Sequence, residues 1–368
     1  MTVLKNIAKD RILQITVIIT IVSLFFARPR FADINFHTLW SVAAMLTIIQ
    51  IYAYLHVLDV LAYKLTSIAD NTRKLNMLFT LLSVIAGMFL GNDITVLTLI
   101  PLYLNIAKRY KLPQILPVTL IGMGANIGAA FTPWGNPHNI FLVSRFDVSP
   151  LLFFKWSVPY LIISLVLMCL VFLFIPKKEI PAQKTETIQI SWRPTIITTM
   201  VFIFFFFGVF RVTNIVWPLI VAIGLALAIN PRIMLKIDYA LLLTFTGFFI
   251  FISDIQQMPV IVNLIHGTVY SEVSTYFASI ISSQVMSNVP STILVGKFTN
   301  YAQALFLGSN IGGFGSAIGS MANMLVLKTF NQHASVSRKK FLIQWRIMQF
   351  VGLIILTVIG LGLLIFRI

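Results

Sequence analysis

Asparagine, hydroxyl, glycine and proline residues recur at two matching places inside otherwise apolar sequence. Residues 124–139 read GANIGAAFTPWGNPHN and residues 308–323 read GSNIGGFGSAIGSMAN. Laid in register without a gap, Gly124, Asn126, Ile127, Gly128, Gly135 and Asn139 meet Gly308, Asn310, Ile311, Gly312, Gly319 and Asn323, and Thr132 meets Ser316. Neutral amides and hydroxyls can hold an oxyanion or an ion without first shedding a proton. A helix that restarts at membrane depth points unpaired N–H groups and partial positive charge at its surroundings, which favours an anion. Helix ends of the opposite polarity offer carbonyls to Na⁺ or to a proton-bearing group. Glycines 128, 135, 312, 313, 315 and 319 would let backbone approach a ligand without a Cβ in the way, although small residues also simply pack helices together. Broken backbone in a bilayer is tolerated only when buried in protein or lining a wet cavity. Two interrupted apolar segments at corresponding places point to the binding site of a secondary transporter.

Two further polar interruptions accompany these. The apolar stretch 75–107 is too long for one span and too short for two with a loop, and Gly91-Asn92-Asp93-Ile94-Thr95 lies at its middle. Arg73 and Lys74 precede it, and Lys108, Arg109 and Lys111 follow it. Both ends therefore prefer the cytoplasm, which predicts a re-entrant hairpin. A second hairpin is expected over 274–299, with Ser287-Asn288-Val289-Pro290-Ser291-Thr292 at its tip and few positive charges at its flanks. An ionisable residue inside a span is a functional candidate by default. Asp93 could carry a proton or help hold Na⁺, or it could cap the second arm of its hairpin. His138 could relay protons or bond a freed carbonyl. Trp134 could gate or pack, and Asp254 reads as a boundary charge at the end of its span.

The elements that must position these groups are apolar helices. The chain is 58% hydrophobic and 10% charged, with mean hydropathy +0.93. At roughly 20 residues per spanning helix there is room for about ten membrane elements and no soluble domain. The net charge of +16 lies in short clusters between apolar runs, the positive-inside pattern, which argues against a nucleic-acid partner. Cys169 is the single cysteine, so neither an intrachain disulfide nor a multi-cysteine metal site is expected. Spans are expected at about 12–27, 37–62, 150–175, 195–210, 213–230, 238–258 and 343–366, with interrupted helices over 114–145 and 303–328. The basic clusters, including Lys5, Lys9, Lys184 and Arg193, predict a cytoplasmic N-terminus and an external C-terminus. The linker 177–194 then divides a first repeat, 1–176, from a second, inverted one, 195–368. The first repeat has one helix fewer before its hairpin. No HExxH, paired histidines or Gly-x-Ser-x-Gly stands at membrane depth, so an enzyme is not expected. A channel would show a continuous polar helix face. No nucleotide-binding motif is present, and no cofactor or resident metal is expected.

The order GNDITVLTLIP, ANIGAAFTPWGNPHN, SNVPSTILVG, GSNIGGFGSAIGSMAN resembles the ion transporter superfamily. That group contains arsenical permeases, NhaD-type sodium/proton antiporters and divalent anion/sodium symporters. The resemblance is closest to the arsenical-permease and citrate-transporter-like branch and covers nearly the whole chain after the first span. It implies an all-α polytopic membrane protein of two inverted repeats, in a prokaryotic inner membrane and paired as a homodimer. It implies a substrate and coupling-ion site between the tips and the breaks. The matching tip residues are Asn92, Asp93, Thr95, Ser287, Asn288 and Thr292, where Na⁺ could sit. The matching break residues are Thr132, Gly135, Asn136, Asn139, Ser316, Gly319, Ser320 and Asn323. The expected function is alternating-access movement of a small inorganic or organic anion, an oxyanion or carboxylate, coupled to H⁺ or Na⁺. The alternative is a sodium/proton antiporter. Dicarboxylate symporters carry Ser-Asn-Thr at both tips, which this chain does not.

Overall fold

A computed structural model describes residues 7–8, 10–28, 30, 32, 34–180 and 191–366. Lys5, Lys9 and Lys184 lie outside the described residues. The described chain is helical, with one isolated bridge between Asn71 and Glu179. In order come α1 (Arg11–Ser23), α2 (Phe36–Tyr54), α3 (Val57–Ser67), α4 (Thr72–Arg109), α5 (Ile115–Phe131), α6 (Pro137–Phe146) and α7 (Pro150–Leu173). Then follow α8 (Trp192–Val209), α9 (Val216–Ile229), a 3₁₀ turn (Pro231–Lys236), α10 (Tyr239–Ile255) and α11 (Pro259–Thr268). The chain ends with α12 (Glu272–Met286), α13 (Asn288–Phe298), α14 (Ala302–Gly312), α15 (Met321–His333) and α16 (Arg338–Ile365).

Among the described residues five helices are long and apolar enough to cross a membrane: α2, α4, α7, α8 and α16. α4 meets that length by a different route, because it turns back on itself. At Gly91 the backbone leaves the helix at φ 74°, ψ 162°. In a straight helix Phe79 and Tyr103 would stand about 36 Å apart, yet their ring centroids are 5.5 Å apart. Both lie twelve residues from Gly91. α12 and α13 repeat the figure. Ser287 between them has φ 73°, ψ 153°, and Thr275 and Thr299, each twelve residues from it, share a hydroxyl contact of 3.0 Å.

Each hairpin is held by the helix that follows it. A Cβ on Gly128 of α5 would lie 1.9 Å from the Val84 carbonyl oxygen, and one on Gly312 of α14 would lie 2.7 Å from the Ser283 side chain. At these in-register positions glycine serves close helix packing and meets protein, not a ligand.

Two expected spans end differently. The helix expected over 37–62 stops at Tyr54, because His56 takes a left-handed turn (φ 53°) before α3 begins. α10 ends at Ile255, and the chain bends by 105° into α11, whose residues are not buried. Pro259 at its first position suits a helix start, where the missing N–H has no acceptor to lose. His266 is therefore helical, and His333 closes α15. Asp254 is no boundary charge: it is fully buried and accepts from Ser23 Oγ of α1 at 2.6 Å. Large apolar side chains such as Phe25, Leu151, Phe174 and Val260 face outward, as a lipid-solvated surface requires.

Candidate functional site

The breaks are built from residues that end one helix and start another. α5 ends at Thr132, whose backbone is extended, and α6 starts at Pro137 behind an extended Asn136. α14 ends near Gly313, and α15 starts behind Ser320. Each break leaves carbonyls without helical partners, and one asparagine closes them. Asn139 Nδ2 donates to the carbonyls of Ala129 and Thr132 at 3.2 and 3.1 Å. Asn323 Nδ2 donates to those of Gly313 and Ser316 at 2.8 and 2.9 Å. The sequence offsets are the same in both. The hydroxyls match as well: Thr132 Oγ1 donates to the Met88 carbonyl at 2.7 Å and Ser316 Oγ to the Gln284 carbonyl at 3.2 Å. Each ties its break to the hairpin arm just ahead of the tip.

The two breaks are then cross-linked through their remaining amide atoms. Asn126 Nδ2 donates to Asn323 Oδ1 at 3.3 Å, and Asn310 Nδ2 donates to Asn139 Oδ1 at 3.1 Å. Asn126 Oδ1 receives Asn92 Nδ2 of the first tip at 2.8 Å and Ser320 Oγ at 3.3 Å. Asn310 Oδ1 pairs with His138 Nε2 at 3.2 Å. Because Asn310 Nδ2 is itself a donor, His138 must donate through Nε2. Its Nδ1 is buried without a partner, and no freed carbonyl is involved. The tip hydroxyls Thr95 and Thr292 bond the carbonyls of Gly91 and Asn288 within their own helices. Trp134 packs edge-on against Phe202 and Phe206 at 5.3 and 5.2 Å. Asn126, Asn310 and Gln284 are network members that sequence reasoning left out of the site. The register of the two runs marked both asparagines; nothing marked Gln284, which donates to Gly312 O and accepts from Ser316 N.

A cavity of about 510 Å³ reaches this network from one side. Of the sequence-identified residues it is lined by Asn92, Asp93 and Gly135; its wall also includes Gly91, Pro137, Met321 and Lys328. The other members, Thr95, Thr132, Asn136, Asn139, Ser287, Asn288, Thr292, Ser316, Gly319, Ser320 and Asn323, do not line it. Two helix starts meet at the cavity, the second arm of α4 after Gly91 and α6 at Pro137. Each brings the partial positive charge of a helix N-terminus to it. Asp93 Oδ1 is shut off from solvent and bonds to nothing. Sequence reasoning also missed Asp10, Lys236 and Asp238 on the same wall. Asp10 and Asp238 accept from Leu13 N and Leu241 N and so read locally as helix caps. Burial raises the Asp238 pKa above the usual carboxylate range. Among the described residues no cluster of His, Cys, Asp and Glu could hold a metal ion.

The chain has relatives among known proteins. A citrate transporter family model matches residues 7–300. The chain belongs to the citrate transporter family. It is 28% identical to the inner membrane protein YbiR of Escherichia coli (strain K12), over 89% of this chain and 90% of that protein. It is equally 28% identical to the uncharacterized transporter MJ0456 of Methanocaldococcus jannaschii, over 94% of this chain and 95% of that one. Its fold matches the crystal structure of the Alcanivorax borkumensis YdaH transporter with a TM-score of 0.60, at 12% identity, over 91% of this chain and 87% of that one. This member of the family is thus an all-α, multi-pass integral membrane transporter, not an enzyme.

Proposed function

We propose that the chain moves a small carboxylate or oxyanion by alternating access, with H⁺ as the coupling ion or Na⁺ in its place. The observation that carries this reading is the pairing of two helix starts with Asp93, whose Oδ1 is buried and unbonded, on one cavity. An anion is favoured by the helix starts and repelled by an ionised Asp93 at close range. Protonation of Asp93 removes the repulsion, so anion occupancy and proton uptake are linked, each favouring the other. The residues that do not line the cavity, Thr95, Thr132, Asn136, Asn139, Ser287, Asn288, Thr292, Ser316, Gly319, Ser320 and Asn323, hold the tips and breaks in register around the transported species. The matching bonds of the two break-and-hairpin units support two inverted repeats, 1–176 and 195–368, that move against each other. A cytoplasmic N-terminus, an external C-terminus and a homodimer belong to the same proposal.

One observation favours the alternative, a sodium/proton antiporter. The cavity wall carries Asp10, Asp93 and Asp238 against Lys236 and Lys328, a balance that suits a cation.

Thermal unfolding of the detergent-purified protein separates the two. The panel is Na⁺, Li⁺, citrate, succinate, sulfate, phosphate and arsenite at two pH values, with Asp93→Asn alongside. A ligand at about a hundred times its Kd stabilises the folded state by about 2.7 kcal/mol. The proposal expects an anion to stabilise more at the lower pH, and Asp93→Asn to lose that dependence. An anion shift that requires Na⁺ assigns Na⁺ as the coupling ion. A response to Na⁺ or Li⁺ with none to any anion overturns the anion reading in favour of the antiporter.

A further inference from the structure

The cavity wall carries carboxylates whose positions run from solvent to the first hairpin tip. Its outer rim is marked by Lys236 and Lys328, both exposed. Along α15 the lining residues step inward from Lys328 through Leu325 to Met321, beside the tip. Asp93 lies at the inner end, with Oδ1 closed off from water and unbonded. Asp238 and Asp10 line the same space and are partly exposed. Asp10, Asp238 and Asp93 thus share one cavity, the first two nearer solvent than the third's buried Oδ1.

We propose that Asp238, with Asp10 beside it, is a proton relay that passes protons along the cavity wall between the outer rim and Asp93. In each step a hydronium ion at the rim gives its proton to the Asp238 carboxylate and is left as water. The resulting acid passes one proton through cavity water to the Asp93 carboxylate and returns to its anion, so nothing is consumed. The groups that face Asp238 and Asp93 across the cavity are Asp10 before α1, Lys236 on the 3₁₀ turn, Tyr239 on α10 and Lys328 on α15. Burial favours the protonated form of Asp238, which brings its affinity for a proton closer to neutral pH, where a relay must both take up and release one. Its role as the α10 cap does not conflict, because capping uses Oδ1 as the acceptor from Leu241 N at 3.0 Å. Asparagine caps a helix start as well as aspartate does. Asp238→Asn thus removes the titration while the fold keeps its cap.

The proposal rests on Asp93 as the coupling carboxyl, and the test separates the two claims without needing the substrate. Full-length protein in proteoliposomes receives a light-triggered pH drop, and the carboxylic C=O infrared band is followed in time. The component lost in Asp93→Asn belongs to Asp93. Expected is that Asp238→Asn slows the rise of that component by about tenfold or more, that azide in the buffer restores the rate, and that Asp238→Glu stays near wild type. Asp10→Asn should slow it less. An unchanged rate in Asp238→Asn, or a slowed rate that azide leaves slow, overturns the relay while leaving Asp93 as coupling group. A band that Asp93→Asn does not alter overturns the coupling role of Asp93, and the relay with it.

Discussion

Gly128 faces the backbone of the first hairpin so closely that one methyl group tests the whole packing argument. A Cβ there would lie 1.9 Å from Val84 O, 2.7 Å from Val84 C and 2.9 Å from Val84 Cα. Ordinary contact needs about 3.5 Å between heavy atoms, so α5 and the first arm of α4 would have to part by more than an ångström. No flexible side-chain end is there to yield, since every obstructing atom is main chain. Overpacking costs about 1–3 kcal/mol, and this case belongs at the upper end. Alanine recovers about 1 kcal/mol of helix propensity, leaving Gly128→Ala about 2 kcal/mol less stable than wild type. Gly362 in α16 is the control, because a Cβ there meets nothing within 4 Å; its alanine variant should gain up to about 1 kcal/mol. Gly312→Ala should fall between the two, since its obstruction is the Ser283 side chain at 2.7 Å. The assay is thermal unfolding in detergent at one scan rate, followed by tryptophan fluorescence. Gly128→Ala unfolding at the same temperature as Gly362→Ala would refute the claim that glycine there serves helix packing.

Two further perturbations probe the tips and the cavity wall. Ser287 holds φ 73°, ψ 153°, a region that glycine alone occupies cheaply, at a cost of about 1–3 kcal/mol for other residues. Ser287→Gly should therefore raise the unfolding temperature, and no change would show that the tip carries no strain. Burial raises the Asp238 pKa in the folded state, so the native protein binds the proton more tightly than the unfolded chain. Stability is then lost as pH rises from the unfolded value of about 3.9 through the raised folded value. Asp238→Asn should match wild type below that window and exceed it above, in unfolding scans across pH. A wild-type advantage at high pH would refute the assignment.

The interruptions at Gly91, 132–136, Ser287 and 313–320 fall in stretches that residue types alone mark. Glycine, proline and asparagine disturb an apolar helix through their own covalent structure, so the disturbance is visible locally. The register of the two runs likewise announced that Asn126 and Asn310, and Asn139 and Asn323, have like surroundings. The same local logic failed where meaning depends on a neighbour distant in the chain. Gly312 looked available to a ligand until the Ser283 side chain was found against it. Asp254 looked like a boundary charge until Ser23, far away in sequence, was found bonded to it. Asp10 and Asp238 carry ordinary cap signatures, which concealed their place on the cavity wall.

Where the backbone must break, and that the outer surface is solvated by lipid, were legible in the residues alone, because both follow from the chemistry of single residues and short runs. Which groups meet was settled by the three-dimensional packing. Asn126 with Asn323, Asn139 with Asn310, and residues 10, 93, 135, 238 and 328 around one cavity are brought together by long-range helix packing. That packing is a sum of many weak contacts, which no short stretch of chain encodes.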